Sequence, residues 1–260
     1  MEPKVIVITG ASAGIGAALA ERLSEGGHHL VLAARRATEL RAVAARCRSA
    51  IAVPTDVCQR EQVEALRDAA LAAFGHIDVW INNAGQGIAK SVQVLTDEDF
   101  DTVMAINVKS ALYGMQAITP HFQARGTGHI INISSFLGKV PLVPYRSAYN
   151  AAKAALNALT ANLRMELAVS HPGVAVSVVL PGVVTTEFAR NALGSAPGGG
   201  AAPAATFSQT ATEVAERIVG LIAAPTAELY TNEGQAAMAA KYVQDVGAFE
   251  ANLRQQGRPR

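Results

Sequence analysis

Val5-Ile6-Val7-Ile8-Thr9-Gly10-Ala11-Ser12-Ala13-Gly14-Ile15-Gly16 is the stretch from which the architecture can be read. Its first five residues are all β-branched and show no polar alternation, the pattern of a strand buried on both faces. Glycines then crowd the chain, and a helical pattern takes over across 14–24. The strand therefore runs directly through a glycine-rich turn into a helix.

The same succession repeats outward from this point. Apolar runs predict strands at 30–34, 51–53, 79–82, 129–134, 174–180 and 228–230. Helical periodicity predicts helices at 38–47, 60–74, 148–169 and 212–223, and another at 97–108 that continues past Lys109. Continuous Val/Ile/Leu strands alternating with helices imply a doubly wound parallel sheet in a three-layer α/β/α domain. At 260 residues, half of them hydrophobic, the chain is expected to form one domain over 1–260. A Gly/Ala/Pro-rich stretch at 194–206, with Gly198-Gly199-Gly200, reads as a loop rather than a linker because strand and helix signals resume after it. The segment 233–256 is helix-permissive, and 257–260 is expected to fray. No internal repeat is visible.

Composition narrows the function classes. A net charge of +1 argues against an obligate nucleic-acid partner and gives no support to a membrane-surface role. No apolar run reaches membrane-spanning length, and the start of the chain is too short and too quickly glycine-rich for a signal peptide. Cys47 and Cys58 make no disulfide framework, and no cysteine/histidine spacing suggests a metal. A soluble cytoplasmic protein is expected.

Glycines let a backbone approach a pyrophosphate closely, and a helix N-terminus offers free N–H groups at the positive end of its dipole. The turn at Gly10, Gly14 and Gly16 departs from the G-x-G-x-x-G spacing but follows the first strand, where a dinucleotide would bind. The bland alternative is a tight connection without a ligand. The second strand ends in Ala33-Ala34-Arg35-Arg36, with no acidic residue to take ribose hydroxyls. A guanidinium there suits the 2′-phosphate of NADP(H), so NAD(H) is the less favoured cofactor and Arg35, nearer the strand end, the stronger contact. The alternative is a solvated pair opening a helix.

Tyr149 and Lys153 lie four apart in a helical stretch and share a face. A tyrosine titrates near ~10 in water, and an adjacent ammonium is expected to lower it enough for acid/base work. Alone, such a pair reads as a surface tyrosine beside a solvated lysine. It is joined, however, by Asn82-Asn83-Ala84-Gly85 and Ser134-Ser135 at strand ends, by Asn107 on the helix between them, and by Pro181-Gly182 with Thr185 and Thr186. In an open parallel sheet, ligands gather at that edge.

Together and in this order, these motifs resemble the single-domain short-chain dehydrogenase/reductase family, over about the first three quarters of the chain. The resemblance implies a Rossmann-like fold and hydride transfer between a carbonyl and an alcohol. It implies Tyr149 as acid/base, with Lys153 tuning it and holding the nicotinamide ribose. Ser135 would bind the carbonyl, and Asn107 would hold a relay water. Gly10, Ser12, Gly14, Ile15 and Gly16 would line the pyrophosphate, and Asp56 with Val57 the adenine. Asn83, with Ala84 and Gly85, would flank the adenosine ribose and brace the fourth strand. Pro181, Gly182 and Thr185 would meet the nicotinamide, and a substrate lid would follow near 186–210. It also implies a homodimer or homotetramer acting on a small carbonyl or alcohol.

The interval from Ser135 to Tyr149 is fourteen positions, one longer than is usual in the family. Ser134 is therefore an alternative, but Phe136-Leu137-Gly138 matches the turn expected after the catalytic serine. Few charges near the lid, together with Phe136, Leu137, Val143, Tyr145 and Phe188, suggest an apolar or bulky substrate; the alternative is that several of these pack in the core. Rival readings are a non-catalytic NADP(H)-binding sensor or scaffold and a sugar-nucleotide epimerase or dehydratase. The first tolerates loss of Ser, Tyr or Lys, all present here. The second expects a longer C-terminal substrate domain and a different glycine spacing.

Overall fold

The computed structural model describes residues 2–186, 188, 192–194 and 208–256. In chain order the elements are β1 (Val5–Thr9), α1 (Gly14–Glu25), β2 (His29–Ala34), α2 (Ala37–Ala45), β3 (Ala50–Pro54), α3 (Arg60–Phe74) and β4 (Val79–Asn82). Next come α4 (Asp97–Met104), α5 (Ser110–Arg125), β5 (Gly128–Ile133), α6 (Ser147–Ser170) and β6 (Val174–Leu180). A short pair, β7 (Val184–Thr185) and β8 (Gln209–Thr210), leads into α7 (Ala211–Ala223), β9 (Glu228–Tyr230), α8 (Gln235–Gln244) and α9 (Val246–Gln256).

Seven strands form one parallel sheet in the order β3-β2-β1-β4-β5-β6-β9. The winding direction reverses between β1 and β4, which opens a crevice at the C-terminal edge of the sheet. Period-2 alternation sends successive strand residues to opposite faces. Ile6 and Ile8 of β1 join Leu19, Leu40 and Ile218, from α1, α2 and α7, on one face. Val7 joins Leu66, Ile118, Phe122 and Leu167, from α3, α5 and α6, on the other. Every β1 residue is buried, as its sequence pattern requires.

Two helices begin with reciprocal capping boxes: Thr96 with Asp99 at α4, and Thr210 with Glu213 at α7. The expected continuation past Lys109 is present with one change of pitch, a π-helical turn at Ala105–Lys109 joining α4 to α5. Asn107 sits in this turn and donates from Nδ2 to the Val103 carbonyl at 2.9 Å, satisfying a carbonyl within the altered turn. The C-terminal helical signal resolves into two helices that part at Asp245. Most of the predicted loop at 194–206, and the terminal 257–260, lie outside the described residues. Among the described residues, no helix is long and apolar enough to cross a membrane.

Candidate active site

A cavity of about 740 Å³ opens at the crevice. At one end lies the glycine turn. Gly10 and Gly14 have φ of +66° and +56°, in the left-handed region that favours glycine. A Cβ on Gly10 would stand 2.8 Å from the Ala84 Cα, so the turn passes against the end of β4 with no room for a side chain. Ala13, the N-cap of α1, has no polar side chain to cap the helix, and no acidic residue lies in the first turn. Ala13, Gly14 and Ile15 line the cavity, so the α1 N-terminus presents donors and a positive dipole end there. This cradle fits a pyrophosphate.

Thr9 and Asn83 hold the cradle in shape. The Thr9 Oγ1 accepts from the backbone N–H groups of Asn83 and Ala84, at 3.0 and 3.1 Å. The Asn83 Nδ2 donates to the carbonyls of Thr9 and Gly10, at 2.9 and 3.2 Å. Asn83 thus ties the end of β1 to the end of β4. Gly16 lies beneath the turn and does not line the cavity; a Cβ there would be 2.4 Å from the Gly10 oxygen.

Arg35 and Arg36 line the same end. Arg36 donates to Ser12 Oγ at 3.3 Å and approaches Glu39 at 3.6 Å. Arg35 has neither a hydrogen bond nor an ion pair among the described residues, which leaves its guanidinium available. Val57 lines the cavity but Asp56 does not. The Asp56 Oδ1 instead accepts from Cys58 N at 3.0 Å and shapes the turn after β3.

Ser135, Tyr149 and Lys153 converge in the middle of the cavity, with Ala84, Gly85, Pro181 and Gly182 around them. Burial pushes the Tyr149 phenol up to about 12, while a hydrogen bond from Ser135 and the Arg146 charge pull the other way. Burial pushes Lys153 down to about 7. The lowering expected from Lys153 does not show in the chain by itself, where desolvation outweighs the Ser135 hydrogen bond and the Arg146 charge. The Lys153 Nζ lies 5.6 Å from the Tyr149 ring centre and donates to the Ile133 carbonyl at 2.9 Å. Ser134 donates to the Lys153 carbonyl at 3.2 Å and so ties α6 to β5, whereas the Ser135 Oγ accepts from Leu137 N at 3.2 Å and is near enough to the phenol to draw it down.

Besides Gly16 and Asp56, two further predicted contacts lie outside the cavity lining, Asn107 and Thr185. Asn107 is buried outside the cavity lining. Its Nδ2 donates to Gln86 O at 2.9 Å as well as to Val103, and its Oδ1 accepts from Gln86 N at 3.3 Å, so the amide braces the loop after β4. Thr185 is exposed on β7, while Val183, Val184 and Thr186 around it line the cavity. Phe136, Leu137, Val143, Tyr145 and Phe188 all line the far end. Phe188 packs against Tyr149 with ring centres 5.5 Å apart, and Phe136 also packs in a core cluster with Val140 and Ala239. Most of the expected lid at 186–210 lies outside the described residues. Arg146, one helical turn before Tyr149, also lines the cavity; sequence reading missed it.

Residues 4–195 match the family model described as short chain dehydrogenase. An uncharacterised oxidoreductase of Staphylococcus epidermidis is 37% identical over 189 residues, covering 72% of this chain and 81% of that protein. A short chain dehydrogenase/reductase from Burkholderia phymatum, solved in complex with NAD, has a TM-score of 0.84 at 28% identity and covers 94% of each chain. A short chain dehydrogenase from Burkholderia cenocepacia, solved in complex with NADP, has a TM-score of 0.81 at 29% identity and covers 99% of each chain.

Proposed function

Because this chain belongs to the short-chain dehydrogenase/reductase family, we propose that it interconverts a ketone or aldehyde and an alcohol using NADP(H). The observation that carries this reading is the convergence of Ser135, Tyr149 and Lys153 in one cavity with the glycine turn and the arginine pair. The reduced nicotinamide, when bound, supplies a hydride to the carbonyl carbon and is itself oxidised.

The chain's own residues do the rest. A phenol held at about 12 keeps its proton at neutral pH, and Tyr149 gives that proton to the carbonyl oxygen. Ser135 hydrogen-bonds the same oxygen and orients it as negative charge develops. Lys153, shifted to about 7, exchanges protons near neutrality and places positive charge beside the phenolate left behind. Asn107 acts as a positioning residue, through Gln86. Thr186 lines the cavity beside Gly14 and offers the cofactor a hydroxyl there, next to Thr185. Arg35 takes the 2′-phosphate with more freedom than Arg36, which is already engaged by Ser12 and Glu39.

A homodimer or homotetramer in the cytoplasm fits the exposed apolar side chains on α6, Met165 and Val169, and the two unpaired cysteines. Fluorescence titration with NADPH and NADH in parallel tests the cofactor assignment. NADPH should bind more tightly, and Arg35→Ala should lose that preference more than Arg36→Ala. Preference for NADH would overturn the arginine reading and leave the oxidoreductase standing. Binding of neither would favour a protein without this activity. Tyr149→Phe should lower turnover by about 10²–10⁴-fold; near-normal turnover in a folded variant would remove Tyr149 from its role.

A further inference from the structure

The side chains that line the cavity include four cations, Arg35, Arg36, Arg146 and Lys153, and no carboxylate among the described residues. Arg35 and Arg36 stand at the glycine-turn end, and Lys153 is spent beside Tyr149. Arg146 is at the other end, where Leu142, Val143 and Phe188 make the wall apolar. It is half-buried at the N-cap of α6, and a Cβ on Gly87 would lie 2.7 Å from its Nη1. The guanidinium makes one long bond, from Nη1 to the Ile88 carbonyl at 3.4 Å, and lies 6.0 Å from the Tyr145 ring centre. It has no carboxylate partner among the described residues. Five N–H donors with one long bond, in apolar surroundings, leave a cation in want of an anion. Its charge also reaches the Tyr149 phenol.

Resting on the carbonyl–alcohol reading above, we infer that Arg146 binds a carboxylate of the substrate, which makes the substrate class an oxo acid, or the matching hydroxy acid, with an apolar body. A planar carboxylate matches the guanidinium fork and would be held close to the carbonyl that Tyr149 and Ser135 address. The walls of Leu142, Val143 and Phe188 take the hydrocarbon part. The inference adds a charge to the apolar substrate expected from the sequence. A loop staple is the competing role, in which Arg146 only steadies the stretch around Ile88 and treats charged and neutral substrates alike.

The test uses the full chain, wild type and as Arg146→Met and Arg146→Lys, with NADPH and two ketones that differ only in charge: phenylglyoxylate and its methyl ester. The wild type should favour the acid. In Arg146→Met the acid-to-ester ratio of kcat/KM should fall by about 10- to 100-fold, the range of a lost charge-assisted contact, chiefly through KM for the acid. Arg146→Lys should recover part of the ratio. In parallel, calorimetric titration of the NADP-loaded enzyme with mandelate reads carboxylate binding without turnover. An acid-to-ester ratio unchanged by Arg146→Met, or mandelate binding equal in wild type and variant, overturns the inference, as does a wild type that binds neither acid. Arg146-dependent mandelate binding without reduction of either ketone would keep the anion site and count against the proposed reaction.

Discussion

Asn132 is fully buried on β5, directly below the strand end that carries Ser135. Its Oδ1 accepts from Asn82 Nδ2 at 2.8 Å, and its Nδ2 donates to Thr160 Oγ1 at 2.9 Å and meets the Met115 sulfur at 3.3 Å. Asn82 Oδ1 accepts from Trp80 Nε1 at 2.8 Å, and Thr160 passes the chain on to the Leu156 carbonyl at 2.7 Å. One polar thread thus clasps β4, β5 and α6, the elements that carry the site. In Asn132→Ala, one Asn82 N–H loses its best acceptor, with only Ala111 O left at 3.3 Å, and Thr160 loses an incoming donor. An orphaned buried donor together with the lost bonds costs about 3 kcal/mol. For a chain of this size that is a fall in Tm of about 6 °C. Trp80, the single tryptophan, is buried in the same thread, so its fluorescence reports unfolding from within it. Asn82→Ala should also destabilise, and the double variant should cost less than the sum by about 1 kcal/mol. A fall below about 1 °C, or strict additivity, would show that these amides are not held by one another.

Two further outcomes follow from named atoms. Gly16→Ala places a methyl against the Gly10 oxygen and 2.6 Å from Asn83 Nδ2, so the bond that shapes the cradle must yield; NADPH affinity should drop at least ~10-fold by titration, and equal affinity would detach the cradle from binding. His129 is buried on β5 with Nε2 at 2.8 Å from Ser177 Oγ, and desolvation pushes it down from 6.5 to about 4. A neutral folded histidine whose unfolded form takes up a proton gives stability that is full above the unfolded value and is lost as pH falls through the folded one. That window is worth roughly 3 kcal/mol. The urea midpoint should fall less between neutral and acid pH for His129→Gln than for wild type; parallel profiles would refute the assignment.

The central strands were legible because β1 is an unbroken apolar run and β2, β4, β5 and β6 are mostly apolar, as burial on both faces requires. The β7–β8 pair was not, since two residues carry no period. The glycine turn was legible as a strand-to-helix connection, but the separate settings of Gly10, in the cavity wall, and Gly16, beneath the turn, appear only when Asn83 and Ala84 come close in space. Tyr149 and Lys153 were placed correctly on one helix face, yet the direction of the phenol's shift was not readable, because spacing reports neighbours and not desolvation. Asn82 was visible only as a polar residue at a strand end and Asn132 drew no reading, although a buried amide in an apolar strand already asks for a partner. Arg146 was not legible because it precedes the helix as its N-cap, and only the fold turns its side chain into the cavity.

The two-residue ladder of β7 and β8 pairs Val184 with Gln209 and Thr185 with Thr210. Gln209 is further fastened to Thr231 through both its side-chain amide groups, at 3.1 and 2.6 Å. The chain that departs after Thr185 is thereby brought back to a fixed point before α7 begins. Once both ends of a segment are pinned, doubling its length costs only about 0.6 kcal/mol in closure entropy. Between these posts Phe188 still packs on Tyr149 and Leu193 still bonds to Gly87 and Ala89, so a change of length is cheap only where it leaves those contacts in place. A segment held at both ends in this way can change in sequence while the sheet beneath it keeps its shape.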